Sequence, residues 1–160
     1  MDWYDFILFV HVLAAFAVIA ALVIFWCMIV ATMRTSQPSA ILAYLRVARP
    51  ATVLIIAGAV GTLIFGIWLA IYLDGYELWD GWILASLVLW AISNEVGRRG
   101  GQRYERAAEL AGRLTAEGRD EPSPELTAII RERPGLTMDI VSTIGFLVIL
   151  MLMFFKPGGV

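Results

Sequence analysis

WYDFILFVHVLAAFAVIAALVIFWCMIVATM, residues 3–33, decides the fold. From Phe6 onward only His11 and Thr32 interrupt the apolar residues, and about 20 such residues as helix cross the hydrocarbon core of a bilayer. The run begins after Met-Asp with no Lys or Arg to form a basic leader region. It is too long for the apolar part of a secretory signal and is followed by no small-x-small cleavage site, so it reads as a retained first helix.

Further stretches of the same kind follow. A second runs from about Thr52 to Leu73. A third runs from about Trp82, with its strongly apolar part ending at Ser93 and its helical pattern reaching residue 97. A fourth runs from Leu136 to Phe155. The 160 residues are 60% hydrophobic and 16% charged, against about a quarter charged in soluble domains. The expected fold is all-α: one integral membrane domain over 1–160, a four-helix transmembrane bundle of up-down topology. Its spans lie at about 3–33, 52–73, 82–97 and 136–155, with a cytoplasmic helical segment over 98–133.

Short amphipathic helices are expected between the spans. Ser36-Gln37-Pro38 is a helix start, and Ile41, Leu42, Leu45 and Ala48 recur at helical spacing until Pro50, where an interfacial helix should end or kink. Beyond span three, Ala107, Leu110, Ala111 and Leu114 form one apolar strip, and Glu109 stands four residues before Arg113 as a helix pair. Pro122-Ser123-Pro124 should stop that helix. Leu126, Ile129 and Ile130 make a short amphipathic helix, and Pro134-Gly135 turns the chain into the last span. The apolar strip of this charged segment is expected to pack against the interfacial helix from Pro38 to Arg49.

Arg34, Arg46 and Arg49 lie between spans one and two, and eight more arginines lie between spans three and four, so 11 of the 12 basic residues fall in two loops. The other side carries Asp2, Asp5, Asp74, Glu77 and Asp80, with Trp3, Tyr4, Trp68, Tyr72, Tyr76, Trp79 and Trp82 as an aromatic belt. The positive-inside rule then sets both termini outside and both arginine-rich loops in the cytoplasm of a bacterial plasma membrane. Seven acids among the eight arginines of 98–133 make that segment a salt-bridged helix rather than a lipid clamp. Small residues Ala14, Ala17 and Ala21 on span one and Ala57, Gly58, Gly61, Thr62 and Gly66 on span two predict close helix contact.

His11 followed by Val12-Leu13-Ala14-Ala15, the second span ending Gly66-Ile67-Trp68-Leu69, and the ending Met153-Phe154-Phe155-Lys156-Pro157-Gly158 carry a likeness. On these residues the chain resembles, over nearly its whole length, a bacterial family of predicted integral membrane proteins, the domain-of-unknown-function family numbered twenty-two sixty-nine. More distantly, the histidine near the start of the first helix is similar to that of copper-resistance D-type membrane proteins and of a haem-associated membrane oxidase family. Those families use further histidines on other helices. The nearer resemblance implies the membrane architecture and lends no activity.

Ionisable groups within spans are functional candidates by default. His11 is the only histidine, about two turns inside the membrane, on a face shared with Ala14, Ala15 and Val18. Met151 and Met153, near the outer end of the antiparallel last span, fall at about the same depth. A His–Met pair around haem b, with Trp68 packed beside it, or a bis-His site across a dimer, is one reading. A neutral histidine at a helix contact is the plainer one. Glu95 and Asp139, at the cytoplasmic ends of spans three and four, with Arg49 at the start of span two, form either a proton or cation entry site or an interfacial charge cluster. One Cys and one His leave no disulfide, thiolate metal site or catalytic triad; Cys27 reads as a small hydrophobe.

The expected function is therefore a non-enzymatic multi-pass membrane protein, an accessory or structural subunit acting as a homo-oligomer or within a larger membrane complex. Its partners are lipids and no nucleic acid, and no cofactor is required. Haem-bearing electron transfer through His11 is the alternative, and a small oligomeric ion or proton transporter the second alternative.

Overall fold

In hydrocarbon no water satisfies backbone N–H and C=O groups, so an apolar run that enters a bilayer must close its hydrogen bonds on itself. The computed structural model describes residues 2–72 and 77–157 and is helical through every apolar run. Five helices follow in order: α1 Trp3–Met33, α2 Pro38–Tyr72, α3 Gly81–Ala116, α4 Pro124–Ile130 and α5 Arg133–Phe155; the described residues contain no strand. Leu73, Asp74, Tyr76 and Gly158, which entered the expectations above, lie outside the described residues.

Three stretches are long and apolar enough to cross a membrane: Trp3–Met33, Pro38–Tyr72 and Pro124–Phe155. Their large side chains point outward, as with Phe16 (65% exposed) and Ile71 (68%). A water-soluble bundle would hide such groups. The four-span bundle expected from sequence is thus seen as an all-α chain with three such stretches, and α3 is apolar only in its first half.

Of the two outcomes expected at Pro50, the helix does not end: Pro38–Tyr72 is one helix of 35 residues with the proline inside it. Proline lacks an N–H, so one carbonyl a turn earlier goes without its helical donor. Pro50 is exposed, which leaves that carbonyl open to the surroundings, while Ala48 and Ala51 on the other face are buried and hold the helix in register.

The helices pair as two hairpins, α1 chiefly with α2 and α3 chiefly with α5. Between α1 and α2 the small residues lie in the contact, as their spacing predicts. A Cβ at Gly58 would stand 2.9 Å from the Ala14 carbonyl oxygen and 2.8 Å from Val18 Cγ2, and one at Gly61 would stand 3.2 Å from Ala14 Cβ. The α3–α5 contact interlocks in the same way. Gly97 faces Ser142, Gly100 faces Asp139, Gly135 faces Arg103 and Gly145 faces Ser93, and Ser142 Oγ donates to the Ser93 carbonyl at 2.8 Å. Two indoles join the hairpins: Trp26 Nε1 donates to Thr143 Oγ1 and Trp90 Nε1 to the Ala59 carbonyl, each at 3.0 Å.

At the basic end the expected packing of the charged helix on the start of α2 is present. Ile41 and Leu42 from α2, Ala107 and Ala111 from α3, and Leu126 and Ile130 from α4 form one buried cluster. Asp120 fastens it by accepting from Ser39 N–H at 2.9 Å and Ser39 Oγ at 2.8 Å. The backbone donor first and the hydroxyl second hold the Asp120 carboxyl below its ordinary value. Two local readings are corrected. α3 stops at Ala116, well before the prolines, because Gly118 adopts φ 72° and Arg119 N–H bonds back to the Leu114 carbonyl, a Schellman closure. Gly135 makes no turn; it lies inside α5, where a side chain would collide with Arg103. The Glu109–Arg113 pair does not form among the described residues.

Candidate functional site

Since each hairpin is zipped along its own seam, space remains between the two where they diverge, toward the end that holds Trp3, Gly81 and Phe155. A cleft of about 450 Å³ lies there, within the range of small-molecule sites. His11 of α1, Thr62 and Gly66 of α2, Ser86 and Trp90 of α3, and Met153 of α5 are among its walls. A narrower apolar extension continues from Thr62 and Trp90 down to Leu22 and Phe146.

His11 lies eight residues into α1, about 12 Å along the helix at ~1.5 Å per residue. Its ring rests on α2, where a Cβ at Gly66 would stand 3.0 Å from Cε1 and 3.3 Å from Nδ1. The glycine is what admits the imidazole. Nδ1 is buried and has no partner in hydrogen-bond geometry, with the Thr62 carbonyl beside the ring. Of the two methionines matched to His11 by depth, Met153 lines the same cleft, whereas Met151 does not and is 57% exposed. They sit two residues apart on a helix and so face about 200° apart. Trp68 is not beside His11 in the cleft either; it stacks on Phe65 and meets Trp3 edge-on at 6.0 Å between centroids. Trp82 and Trp90 are the cleft's indoles.

The three boundary charges are not brought into one site. Glu95 is held by Arg98 and Arg99 on its own helix, at 2.9 and 2.7 Å. Arg49 is exposed and makes no ion pair among the described residues. Asp139 is buried, and its partner is one that spacing did not single out: Arg103 Nη2 at 2.5 Å, with both side chains nearly inaccessible at 1% and 2% exposure. Tyr104 donates to the same carboxylate oxygen at 2.8 Å and also receives the Arg103 guanidinium. Arg103 Nη1 donates to the Glu132 carbonyl at 2.9 Å. Burial, and then the Asp139 charge, push the Tyr104 hydroxyl above its ordinary value.

Arginine, tyrosine and carboxylate bond to one another and to the start of α5, while Arg103 Nε is buried without a hydrogen-bond partner. The cluster is a lock between α3 and α5. A legible signal existed: Ser93, Gly97, Gly100 and Arg103 recur every three or four residues, as do Gly135, Asp139, Ser142 and Gly145, so both helices present one small and polar stripe. No group of three or more His, Cys, Asp or Glu residues suited to a metal ion occurs among the described residues.

The family described as predicted integral membrane protein (DUF2269) matches this sequence over residues 5–157. No curated protein and no solved structure matches it.

Proposed function

The chain belongs to the predicted integral membrane protein family DUF2269, and from that membership and the cleft we propose that it is a non-enzymatic multi-pass protein that binds an apolar ligand inside the bilayer. The observation that carries this reading is a ligand-sized cleft whose wall holds the chain's one histidine, between two hairpins that each close along a seam of small residues. The inventory of one histidine and one cysteine supports binding over catalysis. Work as an accessory subunit, in a homo-oligomer or a larger membrane complex, belongs to the same reading, since such a chain acts through what it holds and touches.

In this reading α3 is the fourth span. Leu84, Val88 and Ile92 form an exposed apolar stripe at four-residue spacing on its first half, while Ser86 and Ser93 are buried. That supports a helix with lipid on one side and protein on the other. With the arginines in the cytoplasm of a bacterial plasma membrane, both termini face outward and the cleft lies in the outer half of the bilayer. Mass spectrometry of gently solubilised protein is expected to find an apolar small molecule retained at up to one per chain and lost on Gly66→Leu, which drives a side chain into the His11 ring.

A second reading, haem b, is favoured by one observation: His11 and Met153 share the cleft. With Nδ1 against α2, His11 through Nε2 and Met153 through its sulfur would hold a haem, which would supply one-electron transfer when bound. An absorption spectrum after growth with a haem precursor decides it; no Soret band removes this reading. Transport has less support, because Glu95 and Asp139 are each occupied by their own arginines.

A further inference from the structure

Two hydroxyls of the cleft wall share one character, and it restricts the ligand at their level. Ser86 Oγ commits its proton to the Trp82 carbonyl at 2.7 Å, and Thr62 Oγ1 commits its proton to the Gly58 carbonyl at 2.7 Å. A hydroxyl whose proton is committed has only lone pairs left to offer. The His11 ring resolves the same way. Its Nδ1 is sealed against α2 on the side of the Thr62 carbonyl. A carbonyl can only accept, so with the proton on Nδ1, on the side of that carbonyl, Nε2 is left as an acceptor. Of the wall's donors, Trp90 Nε1 is engaged by the Ala59 carbonyl, and the Trp82 indole and the Tyr4 hydroxyl stand nearer the open end. Lys156 lies at the mouth, beyond the end of α5.

The acceptors also lie in one zone. Counted from the helix ends that open the cleft, Ser86 is about 8 Å down α3, His11 about 12 Å down α1 and Thr62 about 15 Å down α2, at ~1.5 Å per residue. Trp82 and Trp90 supply flat apolar walls around this level, and below it the extension toward Leu22 and Phe146 is almost wholly apolar. A bare hydrocarbon chain would fill the space but leave the imidazole and hydroxyl lone pairs facing it unmet, which is unfavourable away from water. At Ser86 and Thr62 a carbonyl or ether oxygen would face lone pair to lone pair.

We infer that the cleft takes a neutral amphiphile built as a hydroxyl-bearing ring with a long apolar tail, which donates its hydrogen bond to His11 or Ser86 and runs its tail toward Leu22. This rests on the reading of the cleft as a ligand site, and the two separate in one experiment. The full-length protein, labelled with 5-fluorotryptophan in detergent micelles and with the Trp90 resonance assigned through Trp90→Phe, is titrated with dodecane, 4-decylphenol and its methyl ether. The last two differ in one proton. The expected result is a saturable shift at Trp90 with all three and half-saturation by the phenol at about tenfold lower concentration than by the ether, which is ~1.4 kcal/mol. The preference should shrink to within about twofold in both His11→Leu and Ser86→Ala; the second removes one hydroxyl and keeps the fold if the first does not. Equal potency of phenol and ether, or a preference for the ether, overturns the hydroxyl inference and leaves the cleft as a hydrocarbon site. No saturable shift with any of the three overturns the cleft reading as well.

Discussion

Asp139→Ala tests the lock between α3 and α5. In the parent the carboxylate is 2% exposed and accepts from Arg103 and Tyr104, and Arg103 is 1% exposed. Truncating the acid leaves a guanidinium buried without its counter-charge. Removing one partner of a buried pair costs about 3–5 kcal/mol, and solvent screening does not reduce it here because neither side chain reaches solvent. For a chain of this length that corresponds to roughly 10 °C in the unfolding midpoint, at about 2–4 °C per kcal/mol. The triple variant Arg103→Met, Tyr104→Phe, Asp139→Val removes donors and acceptor together, and a buried polar set replaced by apolar groups of similar shape is close to neutral. Its expected loss is smaller than that of the single variant, with the remainder arising from the Glu132 carbonyl that Arg103 also serves. The assay is thermal unfolding in detergent followed by circular dichroism. A midpoint for Asp139→Ala within 2 °C of the parent, or a triple variant as unstable as the single one, would refute the reasoning about this pair.

Gly58→Val is expected to lower stability by about 1–3 kcal/mol, as overpacking does, because the added Cβ meets the Ala14 carbonyl at 2.9 Å and backbone cannot swing aside; the same melting assay checks it, with Gly112→Val, which meets nothing within 4 Å, as the control. Asp120→Asn should weaken the start of α2 at neutral pH, seen as faster amide exchange at Ser39 to Leu42. The folded-state carboxyl lies below its unfolded value, so its stabilisation is full above the ordinary aspartate range and fades as pH falls through the lowered folded value. Parent and variant should therefore converge in acid, and a difference that persists there would rule out Asp120 as the source.

The helices were legible because lipid demands long apolar runs, and a run such as Trp3–Met33 leaves no second interpretation. The α1–α2 seam was legible too, since Ala14, Gly58 and Gly61 advertise themselves by size and spacing. Pro50 leaves both an end and a kink open in the sequence, because proline removes one hydrogen bond but leaves the neighbouring turns intact, and packing of Ala48 and Ala51 decides that the helix continues. Arg103 was hidden among eight arginines of one loop. Only the stripe of Ser93, Gly97 and Gly100 below it marks Arg103 as the one on the contact face, and Gly135, four residues from Asp139, is bare enough to admit it. His11 was visible as a lone polar residue, and the side chain that shares its cleft was narrowed to two. Only the α5 rotation separates Met153 from Met151. The acceptors at Ser86 and Thr62 could not be read at all, because a hydroxyl's role is set by where its own proton goes.

The placement of the cleft depends on both hairpins crossing the bilayer with their open ends outward. In a Cys27→Ser background, single cysteines at Trp79 and Pro157 should react in intact cells with a membrane-impermeant maleimide, whereas cysteines at Arg113 and Glu121 should react only after the membrane is opened. Labelling of Arg113→Cys from outside, or protection of Trp79→Cys and Pro157→Cys, would contradict it.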